Sequence, residues 1–329
     1  MPGASPAVSP VDGAAAPARS LHRAPPQLYF LVSAVFHYLG PAFAVLLFAH
    51  VGVLGVAWLR IASAAVIFAV WRRPWHAFAA QDREGKRLLI AWGSVLAIMN
   101  ACFYTAIDRL PLGTVAAIEF LPVIALAAFG ARSVRNAVAL ALAVPGVYVL
   151  SDVQLSAQPV GLAFAFANAI LFASYIMLAD RVAKRPGVSG IDGLAASMLI
   201  AALVITPIAG WQALPAFSKP VVILAGIGVG ICSSVIPYIS DQLALALLAR
   251  ATYALMVALL PATATVIGIV VLTQIPDLTQ VVGVALVIVG VGLHREPRSV
   301  AVDRARCQAS TASRPGSSGN ERFARDGRM

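Results

Sequence analysis

The sequence predicts an all-α, polytopic membrane protein of about ten transmembrane helices, and three observations carry that prediction. Apolar residues make up 60% of the 329-residue chain and charged residues only 12%, with a mean hydropathy of +0.86. Soluble domains hold about half apolar and a quarter charged residues and cannot bury this much apolar surface. The apolar residues also come in runs of about 18 to 22, the length a helix needs to cross roughly 30 Å of hydrocarbon. Finally, the runs lack apolar–polar alternation, which excludes a barrel; because every backbone polar group in lipid needs an internal partner, the helix is what remains.

Residues 1–27 are rich in Ala, Pro and Ser, with no apolar core before Leu28. They read as a disordered cytoplasmic leader rather than a cleaved signal peptide, so the first helix doubles as the targeting signal. The predicted spans are 28–48, 53–71, 88–107, 111–130, 134–151, 160–179, 191–211, 221–246, 251–272 and 278–294. Residues 295–329 are polar and Arg-rich and read as a disordered basic cytoplasmic tail, which can touch anionic lipid or simply stay solvated. With the N-terminus in the cytoplasm, thirteen basic residues of the leader and connections fall inside, among them Arg72, Arg83, Lys86, Arg132, Arg185 and Arg250, and only Arg109 and Lys219 fall outside. The positive-inside rule thus places both termini in the cytoplasm of a multi-pass protein of the cytoplasmic (inner) membrane, and the eight tail arginines agree. Topology also accounts for the formal charge of +10. No basic face interleaved with aromatics is present, so nucleic acid is excluded as a partner.

The two halves look related. Sliding residues 98–130 by 139 positions lays Leu121-Pro122 on Leu260-Pro261 and the break at Asp108–Pro111 on Leu247–Arg250. An odd number of helices separates the matched elements, so the copies lie in opposite orientations, as in transporters that hold substrate near the midplane. The domains expected are two five-helix repeats, 28–151 and 160–294.

Arg60 and Glu119 lie about eight residues into the second and fourth spans from their outer ends, roughly 12 Å deep at 1.5 Å per residue. Facing lipid, each would cost on the order of 3 kcal/mol, so both should face the bundle interior, a partner or water. They read either as a substrate or proton site or as a mutual ion pair locking two helices. Asp241 follows Pro237, Tyr238 and Ser240 about one turn from the inner end of the eighth span, where interfacial water is in reach. Asn100 and Tyr104, four apart, share a face of the third span and can line a cavity or bond to a neighbouring helix.

Other features are plainer. Gly226-Ile227-Gly228-Val229-Gly230 lacks phosphate-loop spacing and reads as close helix packing. Pro122, Pro145, Pro207, Pro237 and Pro261 each remove a backbone donor inside a span and free a carbonyl. The histidines, His22, His37, His50, His76 and His294, read mostly as interfacial. Cys102, Cys232 and Cys307 are too scattered for a disulfide framework or a metal site. No catalytic constellation, cofactor motif or long catalytic loop is visible, and residues 72–87 read as a short basic connector. A membrane-embedded enzyme and a non-transporting scaffold are the rival readings, the second disfavoured by the polar residues at mid-depth.

Leu59-Arg60 with Pro74-Trp75, Met99-Asn100 with Phe103-Tyr104, Leu110-Pro111-Leu112-Gly113 leading to Glu119-Phe120, and Ile236-Pro237-Tyr238 with Asp241 occur in an order and spacing that resemble the EamA-type transporters of the drug/metabolite transporter superfamily. The resemblance is strongest to their threonine/homoserine exporter branch and covers about residues 28–294. It implies a secondary exporter of a small neutral amino acid coupled to protons, with Glu119 and Asp241 matching buried acidic positions of that branch; efflux of another metabolite or a drug is the alternative. The substrate or proton pathway expected is Arg60, Asn100, Tyr104, Glu119, Tyr238 and Asp241, with no cofactor and no metal. The chain departs from the family where Leu260-Pro261 replaces a common Glu-Pro and Thr273-Gln274 replaces a common Gly-Glu.

Overall fold

The computed structural model of the protein describes residues 25–130, 134–155, 158–185, 187–247 and 259–293. Residues 1–24, the tail, Arg132 and Arg250 lie outside the described residues, and the last two residues of the expected leader, Pro26 and Gln27, already belong to the first helix. Every described secondary-structure element is helical. The main helices are α1 (Pro26–Val51), α2 (Val53–Arg72), α3 (Arg83–Ile107), α4 (Leu112–Gly130), α5 (Val134–Leu155), α6 (Pro159–Ala183) and α7 (Gly190–Ala209). They are followed by α8, which joins Pro220–Gly230 and Ile236–Leu247 through a π-helical turn at Ile231–Val235, and by α9 (Leu260–Leu272) and α10 (Leu278–Leu293). Among the described residues six helices are long and apolar enough to cross a membrane, and the other four predicted spans hold shorter apolar helices. Each overlaps a predicted span, so the chain is a polytopic membrane protein.

Two connecting elements are additions to the prediction. The basic connector after α2 contains a short helix, Pro74–Ala79, and the link between α7 and α8 is a 3-10 helix, Gly210–Ser218. Pro74 opens the first of these after Arg73 turns the chain through a left-handed conformation. Asp82 caps α3 by accepting the backbone N–H of Gly85 at 2.7 Å.

Large apolar side chains such as Val70, Leu203, Leu224 and Val270 point outward, where lipid rather than water is the solvent. Trp71 and Trp75 at one end, and Trp211 at the other, are exposed where aromatic belts form at a bilayer's interfaces. Inside, one core gathers side chains of α1, α4, α5, α6, α8, α9 and α10 with the first part of α2 and the C-terminal end of α3, and a second gathers the rest of α2, α7 and the N-terminal part of α3.

The helix pairings repeat. α3 packs on α6 and α7, as α8 packs on α1 and α2; α4 packs on α5 and α6, as α9 packs on α10 and α1. The pairs α2–α7, α4–α9 and α5–α10 map onto themselves when five is added to or subtracted from each helix number. The entries to α2 and α7 match as well, Gly52-Val53-Leu54-Gly55 against Gly187-Val188-Ser189-Gly190. Both leading glycines hold φ near +80°, at 80° and 81°, a conformation that other residues adopt only under strain.

The glycine run in α8 does serve close packing, at two of its three positions. A Cβ on Gly230 would stand 2.9 Å from the Arg60 carbonyl oxygen, and one on Gly226 would stand 2.9 Å from a Leu59 methyl, whereas Gly228 faces open space. α2 and α8 therefore touch backbone to backbone beside Arg60, which is the contact on which the site is built.

Candidate functional site

Arg60 is buried on α2, and its partners come from the π-helical turn of α8. Nη2 donates to the Ser233 carbonyl at 3.0 Å and Nε donates to the Ser234 hydroxyl at 3.1 Å. The carbonyl is available for a reason written in the sequence. In α-helical register it would accept from the amide of residue 237, and Pro237 has none. A π-helical turn at this proline widens the helix and turns the Ser233–Ser234 edge to the guanidinium. The guanidinium also lies over the Tyr104 ring of α3, 5.5 Å from its centroid, a cation–π contact.

Glu119 is buried on α4, and its Oε1 accepts the amide Nδ2–H of Asn168 on α6 at 3.1 Å. Phe120 and Phe172, an edge-to-face pair at 5.9 Å, fix the same two helices beside this bond. No ion pair joins Glu119 to Arg60 among the described residues. The two charges share a field rather than a bond, since Arg60 acts electrostatically on Glu119, His37, Tyr175 and Tyr238, and Glu119 acts on Tyr38 and Tyr238.

Around them lies unused hydrogen-bonding capacity. The Tyr38 and Tyr104 hydroxyls, Asn168 Oδ1 and the Ser233 hydroxyl are fully buried without a partner. Buried polar atoms are almost always satisfied, so four such orphans beside Arg60 and Glu119 are unusual.

The predicted residues divide. The structure brings Arg60 and Tyr104 together and sets Glu119 and Tyr238 within their field. Tyr238 and Asp241 lie within electrostatic reach of Tyr175 on α6. Asn100 is buried and donates to the Leu96 carbonyl of its own helix at 2.8 Å. His37 corrects the interfacial reading of the histidines. It sits midway along α1, stacked edge-on against Tyr38 at 5.2 Å.

Sequence reasoning missed Asn168, Tyr38, Tyr175, Ser233 and Ser234. Two signals were present: Asn168 is the sole amide in its apolar run, and Pro237 points back four residues to Ser233.

A cavity of about 180 Å³ opens at the predicted outer ends of α4, α9 and α10, lined in part by Thr114, Thr265, Gln274 and Gln280. Gln274 Oε1 accepts the Leu112 N–H that begins α4, at 3.0 Å. Thr273 holds φ at 54°, a conformation costly for a β-branched residue. Among the described residues no cluster of His, Cys, Asp and Glu could hold a metal ion. At the opposite ends two connections tie the halves by charge. Arg72 of α2 meets Asp192 of α7 at 2.7 Å, and Arg185, just after α6, meets Asp82 at 2.8 Å and Glu84 at 2.6 Å. The N–H of Gly85, and then the Arg185 charge, hold the Asp82 carboxyl below its usual range.

Comparison with known proteins converges on one family. The EamA-like transporter family matches residues 159–294. Threonine/homoserine exporter RhtA of Escherichia coli (strain K12) is 33% identical over 238 residues, covering 71% of this chain and 79% of that protein. Threonine/homoserine exporter RhtA of Salmonella typhimurium (strain SL1344) is 29% identical over 272 residues, covering 80% of this chain and 90% of that protein. No solved structure matches the chain.

Proposed function

This chain belongs to the EamA-like transporter family, and from that premise we propose that it exports a small neutral amino acid of the threonine/homoserine kind across the cytoplasmic membrane in exchange for protons. It is a transporter and not an enzyme. The observation that carries the substrate reading is that Arg60 and Glu119 are both buried yet unpaired with each other, and each keeps bonding capacity. Arg60 Nη1 and Glu119 Oε2 make no hydrogen bond among the described residues.

A zwitterion carries the complementary pair, a carboxylate for the guanidinium and an ammonium for the carboxylate, and the orphaned hydroxyls can meet a hydroxylated side chain. Glu119 then has two competing ligands, a proton and the substrate ammonium. Occupancy by one excludes the other, which is the condition for exchange. The repeated helix pairings support reading residues 28–151 and 160–294 as inverted repeats, with the site where they meet. The outward cavity is the exit end, and the basic connections support cytoplasmic placement of both termini.

The test is reconstitution into proteoliposomes with an imposed pH gradient. Threonine and homoserine are expected to exchange, to compete with one another and to respond to the gradient. If neither moves while a chemically unrelated compound does, the substrate proposal falls and efflux of that compound replaces it. Cysteines introduced singly at positions 84 and 157 are expected to react with an impermeant reagent from opposite sides; labelling of both from outside would overturn the orientation.

A further inference from the structure

We propose that Asn168 is the proton-responsive partner of Glu119, donating from its amide nitrogen to the ionised carboxylate and turning over to accept, at its amide oxygen, the O–H of the protonated carboxyl. The inference rests on the reading of Glu119 as the proton site and assigns the residue that serves both of its states.

Three observations carry it. Asn168 is fully buried on α6, and its Nδ2 already donates to Glu119 Oε1 at 3.1 Å. Its Oδ1 is buried with no partner, so half of the amide is idle while the carboxylate is ionised. The amide is also the side chain suited to the task, with an acceptor and a donor at nearly interchangeable positions, so a half-turn about Cβ–Cγ swaps them without changing shape.

The step balances. A proton arriving from the aqueous phase binds Glu119, the N–H···O⁻ bond is lost, and an O–H···O bond to Asn168 Oδ1 replaces it; no proton leaves the amide. An aliphatic residue at 168 would serve neither state and a carboxylate only one.

Other groups facing Glu119 cannot take this part. The groups whose charge couples to Glu119 are Arg60 of α2, Tyr38 of α1 and Tyr238 of α8. Arg60 can only donate, so it could serve the ionised carboxylate but cannot accept the O–H of the protonated carboxyl. α3 supplies Tyr104 beneath Arg60, and on α5 Tyr148 is exposed and Arg135 bonds the Leu293 carbonyl. The described residues of α9 and α10 hold no titratable side chain. Because Glu119 and Asn168 belong to different halves, the exchange of bonds reports protonation across the surface on which the halves meet.

The test compares the full-length protein with Asn168→Leu, Asn168→Asp, Asn168→Gln and Glu119→Gln in proteoliposomes. Two quantities are read, the pH midpoint of threonine exchange and the infrared C=O band that appears as a carboxyl protonates. In Asn168→Leu the midpoint moves up by about one pH unit, because the ionised form has lost its donor. The carboxyl band moves to higher frequency, because the O–H has lost its acceptor. Asn168→Asp moves the midpoint further in the same direction, since two carboxyls then share one proton. Asn168→Gln keeps both values near those of the native protein.

A structural role for Asn168 would lower yield and leave both readings in place, and that result in Leu and Asp variants alike overturns the inference. If Asn168→Leu does not accumulate, the Asp and Gln variants decide on the same two readings. A band that is absent from Glu119→Gln and displaced in Asn168→Leu, in a protein whose transport ignores pH, would keep the pairing and remove the proton-exchange reading.

Discussion

Replacing Arg60 with Met should destabilise the protein, and a second change at Pro237 should return part of the loss. Arg60→Met keeps the apolar stem and removes both donors, orphaning the Ser233 carbonyl and the Ser234 hydroxyl. Bonds from a charged donor are worth about 1.5–3 kcal/mol in soluble proteins, but bonds between membrane helices average about 0.6 and reach about 1.7. Two of them near the upper end give a loss of about 2–3 kcal/mol. Pro237→Ala restores an amide four residues beyond Ser233, so the helix itself can satisfy the carbonyl. In the Arg60→Met background it should return about 1 kcal/mol, whereas in the native background the carbonyl already has a partner and the gain should be smaller. Equilibrium unfolding of the four proteins in mixed micelles, analysed as a double-mutant cycle, measures the coupling directly. Strictly additive effects would refute the assignment of Arg60 as the substitute for the missing amide.

Glu119→Gln should accumulate normally and unfold within about 1 kcal/mol of the native protein, because the new side chain still offers an acceptor to Asn168; exchange assayed at several pH values should lose its pH dependence. Since no ion pair joins Arg60 to Glu119 among the described residues, a second Arg60→Gln change should worsen stability rather than rescue it. Thr273→Gly should raise stability by about 1 kcal/mol, the cost of a left-handed conformation at a residue with a Cβ, as read from thermal unfolding in detergent. Asp82 has its folded value lowered, so its contribution is present above the unfolded carboxylate range and is lost as pH falls through the folded value. Comparing acid unfolding of the native protein and Asp82→Asn should show the difference near neutral pH and its disappearance in acid.

The helices were legible because lipid imposes one rule on every span, a long apolar run with its backbone bonds closed internally. The break at Asp108–Pro111 was equally plain, since the polar pair Asp108-Arg109 interrupts the apolar run just before a proline that lacks a backbone donor. Pro74–Ala79 and Gly210–Ser218 were not, because elements of six and nine residues are too short for a period to register. At the site the charges were legible and their partners were not. A buried Arg or Glu is costly wherever it points, so depth alone flagged Arg60 and Glu119. Asn168, Ser233 and Tyr38 are affordable on many faces of a membrane helix, and only the packing of α6, α8 and α1 reveals that they converge. The ion pair that sequence left open fails for the same reason, because each charge found a neutral partner nearer than the other.

Those partners divide unevenly between the halves. Arg60 and Glu119 both belong to residues 28–151, while Ser233, Ser234 and Asn168 belong to 160–294. If the halves rock against each other to carry substrate, the two charges travel together and their mutual geometry, the part that fits a zwitterion, is preserved. What the motion must break are charge–dipole bonds worth about 1–2 kcal/mol each, rather than a buried ion pair, whose rupture costs about 3–5 kcal/mol. Placing an opposite charge in the second half should therefore arrest the cycle. Ser234→Asp sets a carboxylate where a hydroxyl now accepts from Arg60 Nε at 3.1 Å, making an ion pair that crosses the moving surface. An added cost of about 3 kcal/mol slows the crossing by roughly a hundredfold, at tenfold per 1.36 kcal/mol. The variant should unfold at higher temperature and exchange threonine far more slowly, a pairing of effects that a merely damaged site would not produce. A thermally stabilised Ser234→Asp protein turning over at the native rate would show that Arg60 and α8 stay together throughout transport, and the moving surface would have to lie elsewhere.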